Sequence, residues 1–484
     1  MAAETAFTPA GKIPGIPRTM SSFSYSSYRN LPAIAGIASI EEAMRVGLSI
    51  DDCVLRLKRQ HWMFRRLHET LIKRLPSEPV YELKMIFSLH AHYCAEHAGA
   101  WRKRVGEMRE PPLGLDSAPA AALDLVFDEL LATPTTEALL AGVYEVVLPE
   151  LHAAIDQHTG ETNRLVDHPT FRICRFALVE IDEMIRTGGE CVARLSTPET
   201  RIQLAPWLAF LRELLAAEAA APLPPRRFSA TPRAFDPVPR RDERFQDPYN
   251  MGVHAEAFLY DEMMPPEPKT LMMYYKRLRE IDVPEMMASI IAETPDKPWD
   301  YHMDMARQLW DEARHAIMGE VGFVRAGIDW RKFVRVNFTW SLALNTQLKP
   351  LERHAVLYFI EQGLMPKTGK RFEWEVGLAS GDPYSAMIQD YDWADEVLHA
   401  RIGRDWYVSA IGDTKKATAY GDQCWSRVLL GWKSYQARGM TQHENWWPAL
   451  YTEWCRVQGR SPDPQVLSFA TGYDTARADL ADIR

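Results

Sequence analysis

The sequence predicts an all-α protein. Apolar residues recur three and four positions apart over long stretches, and no stretch shows the apolar–polar alternation of a half-buried strand. The 484 residues are 46% hydrophobic and 25% charged, which is ordinary globular composition and excludes a disordered or collagen-like chain. The helices predicted on this basis cover residues 52–75, 81–109, 137–159, 170–195, 284–293, 299–327, 351–363, 384–411 and 417–437.

A segment rich in proline and arginine separates these helices into two groups. Residues 222–248 hold seven prolines and six arginines, a composition that cannot continue a helix. We therefore predict an N-terminal helical domain over residues 1–220, a linker over residues 221–248 and a second helical domain over residues 249–484.

Charge and cysteine usage restrict the partners and the compartment. The chain has 56 basic and 65 acidic residues, a net charge of −9, so we expect neither a nucleic-acid partner nor an anionic membrane surface. Six cysteines without a Cys-x-x-Cys pair, and no signal-peptide pattern, predict a reduced, cytoplasmic protein. The segment closest to a membrane span, residues 204–221, carries three charged side chains and is predicted as an amphipathic helix.

Two Glu-x-x-His pairs, each preceded by aspartate, are the chemical signal in the second half. They are Asp311-Glu312-Ala-Arg-His315 and Asp395-Glu396-Val-Leu-His399. With 36 Glu and 14 His in the chain, chance gives the Glu-x-x-His spacing about once and the preceding aspartate far less often. Residues three apart share one helix face, with about 5 to 6 Å between Cβ atoms, so each pair can bind one metal ion.

A site for two metal ions in a helical bundle needs one further carboxylate from each of two more helices. Glu361 lies 35 residues before Glu396 near the end of an apolar run, whereas Glu352 is interpreted as a surface acid. Glu285 lies 27 residues before Glu312, with a turn at residues 294–298 between them. Glu256 is the alternative candidate for this ligand. The expected metal ligands are Glu285, Glu312, His315, Glu361, Glu396 and His399.

The two aspartates are expected to orient the histidines. A metal-bound imidazole usually donates its other N–H to an acceptor that fixes the tautomer. We expect Asp311 to accept from His399 and Asp395 to accept from His315.

This pattern of residues resembles the ferritin-like diiron-carboxylate superfamily, which includes ribonucleotide reductase small subunits, fatty-aldehyde oxygenases and tRNA hydroxylases. The likeness covers about residues 250–415, and residues 298–315 are its most specific part. It implies a ferritin-like four-helix bundle with additional C-terminal helices in residues 249–484. It also implies that the six ligands hold two iron ions, the same donors being suited to manganese or a mixed Mn/Fe pair.

The resemblance further implies an O₂-dependent diiron oxidoreductase that hydroxylates, desaturates or N-oxygenates a small organic substrate with the help of an electron donor. A homodimer is common for such proteins. The net charge of −9 disfavours a tRNA substrate. The alternative is a metal-stabilised interaction protein or an iron-handling protein without substrate turnover, which would have an enclosed site with no adjoining cavity.

The N-terminal half contains an incomplete version of this pattern. Glu69 precedes Glu96 by 27 residues, but no Glu-x-x-His occurs there, so we interpret this half as a degenerate bundle that covers the second domain. In the second half we expect an apolar pocket beside the metals. Its walls are predicted to include Trp310, Trp340, Trp393 and Trp406.

Overall fold

The all-α prediction is confirmed by the computed structural model. It describes residues 25–109, 114–218, 220–429 and 431–476, and within these ranges the chain has helices and connections but no β-strand. The outer ends of the two predicted domains, residues 1–24 and 477–484, lie outside the described residues.

Long helices dominate the first half of the chain. They are α1 (Ile40–Ala43), α2 (Ile50–Arg74), α3 (Tyr81–Gly106), α4 (Ala121–Leu131), α5 (Thr136–Gly142), α6 (Leu148–Glu161), α7 (His168–Leu195) and α8 (Pro198–Ala216). A π turn (Val143–Val147) joins α5 to α6. It directly precedes Pro149, which has no N–H for the regular helical bond.

The second half alternates long and short helices. They are α9 (Ala255–Leu259), α10 (Pro266–Arg279), α11 (Asp282–Ala292), α12 (Trp299–Arg325), α13 (Trp330–Phe333), α14 (Thr339–Gln347), α15 (Pro350–Gly363), α16 (Lys370–Ala379), α17 (Pro383–Gly403), α18 (Ser409–Ile411), α19 (Thr414–Leu429), α20 (Lys433–Ala437), α21 (Trp447–Val457), α22 (Pro464–Leu467) and α23 (Tyr473–Ala476). Each helical span predicted from the sequence overlaps one of the observed helices. Among the longer helices, α4, α10, α14, α16 and α21 were not predicted from the sequence.

The two helices that carry the Glu-x-x-His pairs have well-defined starts. Pro298 occupies the N-cap of α12. The carboxylate of Asp382 accepts the backbone N–H groups of Tyr384 and Ser385 at the start of α17. These starts set the depth at which the two pairs lie along their helices.

Helices from both halves pack against each other. Helix α3 contacts α12, and α2 contacts α11. The indole N–H of Trp299 donates to the carbonyl of Ala95 at 3.0 Å, and Gly99 leaves room for the Met303 sulfur, which a Cβ would meet at 2.3 Å. One apolar core therefore runs from the N-terminal helices to α11 and α12.

The segment at 221–248 is held by specific contacts. Glu129 accepts the backbone N–H groups of Arg227, Phe228 and Ser229. The side chain of Arg241 is 1% exposed and lies between acidic groups of α11. The segment lacks long helices, as predicted, but part of it is buried structure.

One described helical stretch, Thr136–Glu161, is long and apolar enough to cross a membrane by composition alone. Inside the protein, 67% of its most apolar window is buried, as in the core helix of a soluble protein. This stretch, and not residues 204–221, is the closest to a membrane span.

Candidate metal centre

Four helices bring a group of acidic residues and histidines into one buried cluster. The end of α10 supplies Glu280, and the last turn of α15 supplies Glu361. Helices α12 and α17 supply the rest. The cluster consists of Glu280, Glu312, His315, Glu361, Asp392, Glu396 and His399.

One set of ligand atoms surrounds His399. Its Nδ1 atom lies 3.1 Å from Oε1 of Glu312 and 3.4 Å from Oε2 of Glu396. Glu361 completes this set, in which the ligand atoms lie within 4.8 Å of one another. We call these four residues the His399 position.

A second set surrounds His315. Its Nδ1 atom lies 3.5 Å from Oε2 of Glu280, 3.6 Å from Oε2 of Glu312 and 3.4 Å from Oδ1 of Asp392. Glu280, Glu312 and His315 form one group of potential ligands, and His315, Asp392 and Glu396 form another; we call the two groups together the His315 position. Glu312 and Glu396 are common to both positions, an arrangement in which carboxylates can bridge two ions.

The outer nitrogens of both rings face the expected aspartates. Nε2 of His315 lies 3.1 Å from Oδ2 of Asp395, and Nε2 of His399 lies 3.5 Å from Oδ2 of Asp311. Arg314 donates to both aspartates, at 2.8 Å and 2.6 Å. These contacts direct the two Nδ1 atoms into the cluster.

Glu285, expected as the first-helix ligand, is not in the cluster. Its carboxylate accepts from Lys84 at 2.8 Å and from Arg241 at 3.0 Å. The break between α10 and α11, two residues before Pro284, explains the difference, because it places Glu285 in the first turn of a separate helix. Glu280, the C-cap residue of α10, lies in the cluster instead.

The other two glutamates weighed from the sequence also lie outside the cluster. Glu256, the alternative to Glu285, pairs with Arg279 at 2.6 Å. Glu352 accepts the backbone N–H of Lys349 at the start of α15 and pairs with Arg427 at 2.8 Å, so it is a partly buried structural acid more than a surface one.

Three members of the site were not identified from the sequence. Asp392 precedes Glu396 by four residues, and this helical spacing could have identified it. Glu280 could have been found had α10 been given bounds. Lys370, whose ammonium group is fully buried against Asp392 and Glu396, has no comparable sequence signal.

The facing carboxylates control the protonation of the cluster. Burial would lower the pKa of His315, but Asp395, Glu280 and Glu312 together raise its pKa to about 10. Burial similarly opposes protonation of His399, and its acidic neighbours raise its pKa well above the usual value. Burial and the nearby Glu396 raise the pKa of Glu361 well above its normal range. In the absence of a cation the cluster therefore tends to hold protons.

Five buried atoms of the cluster have no hydrogen-bond partner among the described residues. They are Oε2 of Glu280, Oε1 of Glu312, Nδ1 of His315, Oε2 of Glu396 and Nδ1 of His399. Buried polar atoms are normally paired, so five that face one another make a group that could hold a cation. Carboxylate oxygens and imidazole nitrogens suit iron and manganese, and the donor set therefore fits a pair of such ions.

Two fixed cations lie on one side of the cluster. Lys370 is 2.8 Å from Oε1 of Glu396 and 2.9 Å from both oxygens of Asp392. Arg277 also pairs with Asp392, and with Oε1 of Glu280 at 2.8 Å. Both cations adjoin the His315 position.

A cavity of about 400 Å³ adjoins the His399 position. Glu312, Glu361 and Glu396 form part of its wall. Its apolar lining consists of Val283, Met286, Trp340, Leu344, Ile360, Leu364, Trp425 and Leu429. Of the four tryptophans expected there, Trp340 lines this cavity. The other three do not, and the indole N–H of Trp406 donates to Asp304 at 2.7 Å.

The N-terminal half holds a different group of ligand-type side chains, Cys53, His158 and Asp167. The Cys53 thiol contacts Asp167 at 3.4 Å, and Asp167 also accepts from Arg104 at 2.8 Å and Thr162 at 3.0 Å. The Asp167 carboxylate is therefore already bonded to three side chains, including the Arg104 cation. Glu69, from the incomplete N-terminal version of the sequence pattern, pairs with Lys73 at 2.5 Å.

Comparison of the chain with protein-family models, with curated proteins and with solved structures finds no match. Functional assignment therefore depends on the residues and geometry of the cluster itself.

Proposed function

We propose that this protein is a non-haem dimetal oxidoreductase, with iron as the first candidate metal, that uses O₂ to oxidise a small organic molecule. The observation that carries the proposal is the convergence of five unpaired, buried ligand atoms from three helices beside an apolar cavity. Carboxylates brought together in this way repel one another and are costly to bury unless a cation compensates them.

The ligands divide into two sets under this proposal. The His399 position would hold one ion, and Glu280, His315 and Asp392 would hold the other together with shared oxygens of Glu312 and Glu396. Ferrous ions in such an open carboxylate–imidazole site supply the reducing power for O₂ activation. Manganese or a mixed Mn/Fe pair would suit the same donors.

The remaining residues hold the ligands and shape the reaction space. Asp311 and Asp395 fix the orientation of the two imidazoles through their outer nitrogens. The apolar wall around Trp340 would exclude water and receive the apolar part of the substrate. Repeated turnover would require an external electron donor.

The cavity favours turnover over a structural or iron-handling role. A structural ion needs an enclosed site, whereas here four carboxylates of the cluster, those of Glu280, Glu312, Glu361 and Glu396, border a space of about 400 Å³. That volume lies within the range of about 300 to 1,000 Å³ found for small-molecule sites.

Metal analysis combined with O₂ exposure tests the proposal. Metal-free protein is loaded anaerobically with excess ferrous iron, assayed for bound iron, and mixed with O₂ while its optical spectrum is recorded. We expect about two irons per chain and a transient, oxygen-dependent absorption. The Glu312→Gln variant should lose both, whereas Glu375→Gln, which alters an exposed glutamate of α16, should retain both. Less than one bound ion per chain, unchanged in Glu312→Gln, would refute the proposal.

A further inference from the structure

We propose that the two metal positions are unequal, because the ammonium group of Lys370 competes with a metal ion at the His315 position. This inference rests on the proposed metal-binding function. It adds that the His399 position fills first and that the second ion binds only against the opposition of a buried side-chain cation.

Lys370 contacts oxygens that the second ion would use. Oδ1 of Asp392 faces Nδ1 of His315 at 3.4 Å, and the same oxygen lies 2.9 Å from Nζ of Lys370. Arg277 pairs with this oxygen as well. Nζ of Lys370 also lies 2.8 Å from Oε1 of Glu396. The lysine side chain is fully buried, so solvent does not screen these contacts.

At the His399 position Lys370 contacts only Glu396, through the oxygen that does not face His399. The oxygens that face His399, Oε1 of Glu312 and Oε2 of Glu396, have no hydrogen-bond partner within the described part of the chain. The partner of Glu361 is the neutral amide of Gln308, at 3.3 Å. In the described ranges, no lysine or arginine forms an ion pair with Glu312 or Glu361.

The balance of charge agrees with this difference. The cluster contains five carboxylates and lies against two side-chain cations, Lys370 and Arg277. The formal charge of these groups is −3, so a first divalent ion meets three net negative charges and leaves −1, whereas a second meets only one and leaves +1. A second divalent ion adds positive charge beside two existing cations, so it must displace Lys370 from Asp392 and Glu396 or bind close to it.

The expected size of the effect follows from the short distances. A unit charge a few ångströms from a bound ion weakens binding by about tenfold or more at the effective dielectric constant of a protein interior. Lysine is a compact charge on a flexible stem, so its removal from these oxygens requires no rearrangement of the backbone.

Titration with Mn²⁺, followed by calorimetry and equilibrium dialysis, tests the inference without enzyme turnover. We expect the wild-type protein to bind one ion tightly and a second at least about tenfold more weakly. Lys370→Met should strengthen the second binding event by about tenfold or more and change the first by a smaller factor, because Glu396 is the one ligand of the first position that Lys370 contacts. The matched control is Lys276→Met, which removes another buried lysine whose partner, Glu373, belongs to neither position.

Two histidine variants assign the events to the positions. His399→Ala should abolish the tight event, and His315→Ala should abolish the weak one. Equal affinity for two ions in the wild-type protein, or no change in Lys370→Met, would overturn the inference while leaving the metal centre in place. If neither Mn²⁺ nor anaerobic Fe²⁺ binds, the proposed function itself fails. If Lys370→Met does not fold, the wild-type protein and His315→Ala decide the question. Unequal binding of two ions by the wild-type protein, together with retention of the tight event in His315→Ala, supports the inference. Loss of the tight event in His315→Ala overturns it.

Discussion

Two glutamates only five residues apart, Glu280 and Glu285, should respond in opposite ways to the same substitution. Glu285→Gln should destabilise the fold and retain the metals, whereas Glu280→Gln should retain the fold and weaken metal binding. The comparison is well matched because both side chains are carboxylates with buried charged partners near the junction of α10 and α11.

The stability cost of Glu285→Gln follows from its partners. Its carboxylate accepts from Lys84, from Arg241 and from the hydroxyl of Ser341, and the first two keep its pKa at about 2 despite burial. Removing one member of a buried ion pair typically costs about 3 to 5 kcal/mol, because the remaining charges stay desolvated. We expect a loss of about 3 kcal/mol in the free energy of unfolding, since glutamine retains some of the hydrogen bonds.

Glu280→Gln should cost only about 1 kcal/mol, because Arg277 keeps Asp392 and Glu373 as partners. Loss of this carboxylate should weaken the second metal-binding event by at least about tenfold. Urea denaturation of the metal-free proteins measures the first quantity, and dialysis against Mn²⁺ measures the second. If Glu285→Gln lost metal while Glu280→Gln kept full affinity, the position assigned to Glu280 would be wrong.

Three further outcomes can be measured independently. Glu361→Gln should stabilise the metal-free protein by roughly 2 kcal/mol, because it removes a buried carboxyl group that pairs with no lysine or arginine among the described residues. The same variant should lose tight metal binding. A lower stability of the metal-free variant would contradict this reasoning. Burial lowers the pKa values of His68 and His302 to about 4, so at pH below about 6.5 the unfolded chain binds protons that the folded chain does not. In urea denaturation, the free energy of unfolding should therefore fall by up to about 3 kcal/mol per histidine as the pH is lowered from 6.5 to 4. The fall should be shallower in His302→Gln. A free energy of unfolding that does not change over this pH range would contradict the prediction. Leu344→Trp should fill the cavity and weaken the binding of an apolar fluorescent probe by about tenfold without changing the metal content. The control Thr346→Trp, on the exposed face of the same helix, should leave both the cavity and probe binding unchanged. Equal effects of the two variants on probe binding would exclude the cavity as the probe site.

The sequence was sufficient for the helical class and for the paired motifs. Apolar periodicity predicted the long helices, because a helix that buries one face must repeat its apolar residues at that period. The pairs Glu312/His315 and Glu396/His399 could be recognised because their members lie within one helical turn. Glu361 was found because it ends an apolar run shortly before a helix break.

The errors arose where the prediction depended on a break between helices. A spacing of 27 residues singled out Glu285, but the separation of α10 from α11 puts that residue on a different helix from Glu280. The position of such a break depends on tertiary packing as well as on the nearby Pro284. The contribution of Lys370 was equally inaccessible, because it comes from the start of a short helix for which no bounds were predicted.

The contrast between Glu285 and Glu361 shows how the partners of a buried glutamate separate a structural acid from a proposed metal ligand. Both are buried glutamates of second-half helices, and both were expected to bind metal. The fold brings Lys84 of α3 and Arg241 of the proline-rich segment to Glu285, so its charge is already neutralised. It brings a neutral amide and two further carboxylates to Glu361, with no lysine or arginine paired to it among the described residues, so Glu361 is neutralised by a proton or by an added cation. Both cations at Glu285 come from residues before the second helical group, so the N-terminal half and the connecting segment help to decide which acids near the site remain free for metal.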